Sequence, residues 1–127
     1  MSKILLVEDD VSFCKMLENF LTRKSYHVET AFSAEEAKIK IKNDNFDLII
    51  TDLRLPNYDG IELMLEFKRD FPQIPVILMT GYSDVNTAVK AIKNGASDYI
   101  SKPFNPEEVL LVVSNALQKE KVEVVKK

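Results

Sequence analysis

The sequence predicts an α/β fold in which a parallel five-stranded sheet has helices on both faces. Three observations lead to this prediction. The chain has 127 residues, the size of one compact domain. Short apolar runs alternate with segments of helical period, five times in succession. Most of these runs are continuous rather than alternating, which is typical of strands that are covered on both faces.

The predicted strands differ in polarity. Three are continuous apolar runs, at 4–7, 48–50 and 76–79. The segment 27–31 alternates polar and apolar residues, as an edge strand half open to solvent would, and the short segment 97–100 fits the opposite edge. Because parallel crossovers are right-handed, edge positions for the second and fifth strands predict the order 2-1-3-4-5. This is the flavodoxin-like, doubly wound (βα)5 arrangement.

Helical segments follow the five strands, with start and stop signals. Ser33 and Glu36 form a capping box, Asp84 is expected to cap a fourth helix that ends near Gly95, and Asn105 precedes a proline that opens the fifth. The inward faces are predicted to be Phe13, Met16, Leu17, Phe20 and Leu21; Ala34, Ala37 and Ile41; Ile61, Met64, Leu65 and Phe71, with the stem of Lys68 on the flank; and Val109, Leu110, Val113, Ala116 and Leu117.

Composition excludes several functional classes. The net charge of -3 leaves no basic stripe, which argues against direct nucleic-acid binding by this domain. Cys14 is the one cysteine and cannot form an internal disulfide, which fits a reducing compartment. No basic-then-apolar leader and no apolar run near ~20 residues is present, so no membrane association is expected. We expect one cytoplasmic domain at 1–121, with 122–127 as a helix extension or the start of a linker.

Polar residues follow four of the predicted strands. They are Glu8-Asp9-Asp10 after the first, Thr51-Asp52 at the third, Thr80 at the fourth and Lys102 after the fifth. In such sheets ligands bind at the carboxyl ends of the strands, where the strand order reverses. Crowded carboxylates repel and need a cation, and hard oxygen ligands favour Mg²⁺ over zinc. The single histidine, His27, is expected on the surface of an edge strand, away from this end.

Each of these residues also has an ordinary structural explanation. Asp9 or Asp10 could cap the first helix, Lys102 could be a solvated lysine, and Thr80 could be a loop hydroxyl. Capping does not explain why acids, a hydroxyl and an ammonium group follow four separate strands at one end of the sheet. The joint placement therefore favours a site.

Four segments together resemble the bacterial response-regulator receiver family over essentially the whole chain. They are residues 4–10, 48–60, 79–81 and 98–104. The resemblance implies that Asp52 accepts a phosphoryl group from a sensor histidine kinase. It also implies that Mg²⁺, or Mn²⁺, is held by Glu8, Asp9, Asp52 and the backbone carbonyl of Arg54. The family usually has Asp where Glu8 stands, so direct contact between Glu8 and the metal stays open.

The same resemblance assigns roles to the remaining residues. Lys102 would pair with a phosphoryl oxygen, with a cis peptide bond to Pro103. Thr80 and Tyr99 would form a switch acting on the surface of the fourth helix, fifth strand and fifth helix. Arg54 and Tyr82 would flank the path of an attacking water; since neither is a carboxylate or an amide, slow self-hydrolysis is expected.

Residues 81–91 resemble the nitrogen-regulator class of response regulators. Those proteins carry an ATPase module and a helix-turn-helix DNA-binding domain after the receiver. We therefore expect an effector on a longer chain or on a separate protein, and control of transcription. Leu111 and Val112 are expected outside the inner face of the fifth helix. Their exposure indicates a partner surface, such as a homodimer along the fourth and fifth helices. Alternatively, they are single apolar surface residues, which are common and need no explanation.

Three other functions are consistent with parts of the sequence. An aspartyl-nucleophile phosphatase would need a second acid two residues after Asp52, where Arg54 stands. A flavin carrier would need a phosphate-binding loop after the first strand, where acids stand instead. A pseudo-receiver would lack part of the site, but the full set of acids, Thr80 and Lys102 is present. The sequence therefore predicts a signalling switch rather than an enzyme.

Overall fold

The computed structural model describes residues 1–81 and 85–125, and the side chains of 1–81 and 85–118. Within these ranges the chain forms seven strands and five helices. In chain order they are β1 Lys3–Val7, α1 Val11–Arg23, β2 His27–Ala31, α2 Ala34–Asn43, β3 Leu48–Asp52, β4 Arg54–Leu55, β5 Tyr58–Asp59, α3 Gly60–Asp70, β6 Val76–Thr80, α4 Val85–Lys93, β7 Asp98–Ser101 and α5 Pro106–Val125.

Five parallel strands form the main sheet, in the order β2-β1-β3-β6-β7. Counted along this sheet alone, the order is 2-1-3-4-5, so the predicted doubly wound fold is confirmed. β1 lies between its two partners, with Ile4 opposite Val28 on one side and Leu48 on the other. The reversal of strand order therefore falls between β1 and β3, directly beside Asp52.

A second, two-stranded antiparallel sheet was not predicted. It is the hairpin β4-β5, with Arg54 opposite Asp59 and Leu55 opposite Tyr58. Its two-residue loop contains Asn57 at a φ of 59°, a left-handed conformation that asparagine tolerates. The hairpin joins the end of β3 to the start of α3 and passes next to Asp52.

The core consists of two layers, one on each face of the sheet. Because side chains alternate along a strand, Leu5 and Val7 pack against α2, α3 and α4, whereas Ile4 and Leu6 pack against α1 and α5. All residues of β3 and β6 are buried, as continuous apolar runs predict. The sheet is thus a rigid base for the residues at its carboxyl end.

The structure corrects the predicted faces of three helices. Met16 is 50% exposed and Leu65 is 43% exposed, although both were expected to face inward. Val112 was expected on the surface, but it is only 8% exposed, whereas Leu111 is indeed 62% exposed. An apolar stripe about 100° wide fixes the rotation of a helix only to within about one residue. In α3 the buried positions are Gly60, Leu63, Met64 and Phe67, of which only Met64 was predicted to face inward.

The helix starts follow the predicted capping chemistry, with one variation. Asp10 caps α1, where its side chain accepts from Phe13 N at 3.1 Å. Ser33 accepts from the backbone N–H of Glu36, but the Glu36 side chain returns to the N–H of Phe32 rather than to that of Ser33. The predicted cap Asp84 lies outside the described residues. Across residues 1–81 and 85–125, no helix is both long and apolar enough to cross a membrane.

Candidate functional site

The predicted site residues meet at the carboxyl end of the sheet. Glu8 directly follows β1, Asp52 ends β3 and Thr80 ends β6. Backbone hydrogen bonds extend the strand pairing past the last strand residues, from Glu8 N to Ala31 O at 3.0 Å and from Lys102 N to Thr80 O at 2.8 Å. Because these residues continue the sheet, their positions are fixed by the fold rather than by flexible loops.

Lys102 connects two of the carboxylates. Its Nζ donates to Asp52 Oδ2 at 2.9 Å and lies 2.5 Å from Glu8 Oε1 as an ion pair. The same ammonium group lies 4.7 Å from the centroid of the Phe13 ring, within range of a cation–π contact. The peptide bond between Lys102 and Pro103 is cis. The lysine therefore contacts both acids from one side of the cleft and an aromatic ring from α1.

Burial controls the charge of this cluster. The side chain of Glu8 is 1% exposed and that of Asp52 is 11% exposed. Desolvation raises the pKa of Glu8 from 4.5 to about 7, against the lowering effects of Lys102 and of the backbone N–H of Asp10. Burial opposes the charge of Lys102 too, but its bonds to Glu8 and Asp52 outweigh that effect and raise its pKa. The acids are thus held at an electrostatic cost that a cation would reduce.

The acids form a set that fits a divalent metal ion. Glu8, Asp9 and Asp52 each offer a carboxylate oxygen, and these three atoms lie within 4.8 Å of one another. All three donors are hard oxygens, the ligand type that Mg²⁺ and Mn²⁺ prefer. Asp9 is exposed while the other two are buried, so the set opens to solvent on one side. Chemistry and spacing therefore both agree with the metal predicted from sequence.

Asp10 is not one of the predicted metal ligands, but it has two other roles near the site. Besides capping α1, its backbone N–H donates to Glu8 Oε2 at 3.0 Å. The start of α1 thereby holds the Glu8 oxygen that Lys102 does not contact. A sequence signal for this role exists, because an Asp followed three residues later by the first inward-facing position is typical of an N-cap.

Thr80 and Tyr99 lie on one face of neighbouring strands. In the register, Leu78 is opposite Tyr99 and Thr80 is opposite Ser101, so Tyr99 is a diagonal neighbour of Thr80. Thr80 is fully buried, and its Oγ1 has no hydrogen-bond partner among the described residues. A buried hydroxyl without a partner is uncommon and needs an explanation. Tyr99 is half-buried against the layer that includes α4.

The hairpin β4-β5 determines the orientation of the Arg54 peptide groups. Gly60 N donates to Leu53 O at 2.9 Å, which makes Arg54 and Asp59 a non-hydrogen-bonded pair of the ladder. The Arg54 N–H instead donates to Asp52 Oδ1 at 3.2 Å. In an extended residue the N–H and C=O point to the same side of the strand, so the Arg54 carbonyl also faces away from the ladder, on the Asp52 side. Tyr82, the other predicted rate-tuning residue, lies outside the described residues.

Phe13 was predicted only as a core residue of α1. It is half-buried, contacts Lys102 and packs edge-on against Phe104, with ring centroids 5.9 Å apart and an interplanar angle of 88°. Phe104 also packs against Phe20 at 5.8 Å. The three rings connect α1 to the segment after β7, and the Phe13 ring contacts the lysine. Helical periodicity predicted that Phe13 and Phe20 face the core but did not indicate the contact between Phe13 and the lysine.

Comparison with known proteins agrees with this geometry. The family model described as "Response regulator receiver domain" matches residues 4–114. The transcriptional regulatory protein ZraR of Klebsiella oxytoca is 43% identical over 114 residues, which cover 90% of this chain and 26% of ZraR. The DNA-binding transcriptional regulator NtrC of Proteus hauseri is 33% identical over 114 residues, covering 90% of this chain and 24% of NtrC.

A solved structure gives the same result. The receiver domain of NtrX from Brucella abortus superposes with a TM-score of 0.87 at 34% identity, covering 91% of this chain and 98% of that domain. The present chain spans about a quarter of the length of ZraR and NtrC. These relatives fit the nitrogen-regulator class that residues 81–91 resemble. The chain belongs to the response-regulator receiver family.

Proposed function

We propose that the domain is a phosphorylation switch in which Asp52 accepts a phosphoryl group from a phosphohistidine of a sensor histidine kinase. A carboxylate oxygen of Asp52 attacks the phosphorus, the P–N bond breaks, and its electron pair stays on the imidazole, which takes up a proton. The product is an acyl phosphate on Asp52. The observation that carries this proposal is the Lys102 ammonium group joined to both Asp52 and Glu8, at the same end of the sheet as the Thr80 hydroxyl, which has no partner among the described residues.

Glu8, Asp9, Asp52 and the backbone carbonyl of Arg54 would hold Mg²⁺, with Mn²⁺ as a substitute. When bound, the ion neutralises negative charge on the transferred phosphoryl group. Lys102 pairs with a phosphoryl oxygen after transfer, since its ammonium group already contacts Asp52 in the resting site. The Thr80 hydroxyl donates to another phosphoryl oxygen. These contacts provide charge neutralisation and positioning, which account for most of phosphoryl-transfer catalysis.

Phosphorylation by a small acyl phosphate tests the proposal directly. Incubation with acetyl phosphate and Mg²⁺ should add one phosphoryl group to the parent chain, detected by intact mass and by its loss at alkaline pH. Asp52→Asn should abolish the gain, whereas Asp70→Asn, at an exposed position paired with Arg69, should not. Modification of Asp52→Asn to the same extent would contradict the assignment. Sustained release of phosphate from simple phosphate esters would favour a phosphatase instead.

The switch would run from Thr80 to Tyr99. As the Thr80 hydroxyl moves to the phosphoryl group, Tyr99 turns into the vacated space, and the surface of α4, β7 and α5 changes. The diagonal placement of these two residues on one face supports this coupling. In the Thr80→Ala variant, the resting and phosphorylated forms should differ much less than in the parent, as measured by hydrogen exchange over β7 and α5. An unchanged difference would contradict the coupling.

The output of the switch would be control of an effector, on a longer chain or a separate protein, that regulates transcription in the cytoplasm.

Val89 on α4 and Leu111 on α5 are 42% and 62% exposed, which supports a homodimer through these helices. Sedimentation with and without a phosphoryl analogue tests the dimer. Because neither Arg54 nor Tyr82 is a carboxylate or an amide that could orient an attacking water, we expect the acyl phosphate to last minutes rather than seconds, and its decay without a phosphatase measures this.

A further inference from the structure

A second cluster of charged and aromatic side chains joins α2, β5 and α3. Lys38 Nζ donates to the hydroxyl of Tyr58 at 2.5 Å and lies 3.2 Å from Glu66 Oε1. The Tyr58 hydroxyl donates in turn to Glu66 Oε2. Lys38 Nζ also lies 4.3 Å from the centroid of the Tyr58 ring. We call Lys38, Tyr58 and Glu66 the Tyr58 cluster; none of its members belongs to the phosphoryl site.

The Tyr58 cluster is connected to that site through the hairpin. Tyr58 is the residue opposite Leu55 in the ladder, one pair from Arg54. The base of the hairpin is closed by the bond from Gly60 N to Leu53 O, in a space so tight that a Cβ on Gly60 would lie 2.2 Å from that oxygen. At this base the Arg54 N–H bonds to Asp52. A displacement of the hairpin would therefore move a peptide that contacts the phosphoacceptor.

The hairpin needs anchors because an isolated two-stranded ribbon is at best marginally stable. Leu55 provides one, since its side chain is buried in the layer with α3. Tyr58 provides the other, since its hydroxyl is held by two helices and its ring packs on the same layer. A phenol between a lysine and a carboxylate binds more strongly than a neutral pair, because both of its partners are charged.

We propose that Tyr58 is a positioning residue for the phosphoryl site: its hydroxyl, held by Lys38 and Glu66, fixes the hairpin so that the Arg54 peptide faces Asp52 and the metal. This inference rests on the proposed function, because it concerns the same metal. Tyr58 contacts neither metal nor phosphate. It acts through the backbone of the hairpin, which supplies the Arg54 carbonyl. Outer partners that orient metal ligands typically change affinity by about 10–100-fold when they are removed.

Tyr58→Phe tests this role, because it removes the hydroxyl and keeps the ring over Lys38. Calorimetry with Mg²⁺ should give a Kd about tenfold higher than that of the parent. The rate of phosphorylation by acetyl phosphate should fall at low Mg²⁺ and recover at saturating Mg²⁺. The matched control is Tyr26→Phe, at a half-buried tyrosine before β2, at the opposite end of the sheet, and both parameters should stay at the parent values.

Three results would overturn the proposal. One is an unchanged Mg²⁺ Kd in Tyr58→Phe. Another is a loss of rate that saturating Mg²⁺ does not restore and that follows the melting temperature instead. The third is additive effects of Tyr58→Phe and Lys38→Met on the Mg²⁺ Kd, since one cluster acting through one hydroxyl requires non-additive effects. If the parent chain itself fails to bind Mg²⁺ or to form the acyl phosphate, the proposed function fails; Tyr58→Phe tests only the positioning role.

Discussion

Two lysines in this chain each connect two oxygen-bearing side chains, at very different depths. Lys102 lies between Glu8 and Asp52, whose side chains are 1% and 11% exposed. Lys38 lies between Tyr58 and Glu66, and the Glu66 side chain is 32% exposed. The local geometry is similar, with short contacts from one ammonium group to two oxygens. The surroundings differ, and they give the two clusters opposite electrostatic properties.

The pKa values of the two glutamates express this difference. Burial raises the pKa of Glu8 to about 7 even though Lys102 is adjacent. At Glu66 the hydrogen bond from Tyr58 outweighs desolvation and, with Lys38, lowers the pKa. A lysine near a carboxylate therefore stabilises the charged acid at the surface but only partly compensates for burial in the cleft. The buried cluster retains a need for positive charge, which suits a site that binds a metal ion.

The largest expected effect is a difference in unfolding free energy between variants of the two lysines. Lys102→Met leaves two buried carboxylates without their ammonium partner, and it should lower the free energy of unfolding by about 3 kcal/mol at pH 8 in the presence of a chelator. Lys38→Met, at the more exposed cluster, should cost less than about 1 kcal/mol. Urea denaturation of both variants measures the difference. Equal losses would mean that burial does not distinguish the clusters.

The main sheet could be predicted from the sequence because its signals are strong and local. Buried strands such as 76–79 are continuous apolar runs, and their order follows from the polarity of the edges and the handedness of crossovers. The convergence of Glu8, Asp52, Thr80 and Lys102 then follows from topology alone, since parallel strands end at the same edge. Residues far apart in the chain were thus placed together correctly.

Other features could not be predicted because they depend on geometry between elements. The hairpin β4-β5 has two residues per strand, too few to show a period. The Tyr58 cluster joins residues 20 and 8 positions apart on three elements, with no pattern connecting them. The exposure of Leu65 and the burial of Val112 depend on helix rotation, which the packing against neighbouring elements sets. Periodicity identifies a face but not its orientation to within one residue.

A second effect, of about the same size, concerns the pH dependence of the metal-free protein. Since the folded pKa of Glu8 lies near 7 and its ordinary value is 4.5, the folded chain holds a proton that the unfolded chain has lost between these values. Stability should therefore decrease as pH rises from about 4.5 to 7, by up to about 3 kcal/mol from this residue. Chemical denaturation across this range, in a chelator, measures the decrease.

The control for this dependence is Glu8→Gln, which cannot titrate and should flatten the curve between pH 4.5 and 7. Adding Mg²⁺ to the parent at pH 8 should recover much of the lost stability, because the ion binds the folded chain and compensates the carboxylate charge. A parent curve as flat as that of Glu8→Gln would show that burial of this acid has no electrostatic cost. The carboxylate of the cleft and that of the Tyr58 cluster would then not differ in electrostatic cost.

The smallest effect lies at Glu66 and has the opposite sign. Its folded pKa is lowered, so its contribution to stability is fully present above the ordinary value of 4.5 and is lost as pH falls through the folded pKa. Because the side chain is partly exposed, Glu66→Gln should cost less than about 1 kcal/mol at pH 7, and the difference from the parent should vanish at low pH. Matched denaturation curves at both pH values test this. A loss that persists at low pH would mean that Glu66 acts by packing, and the two lysine clusters would then differ in the kind of interaction as well as in depth.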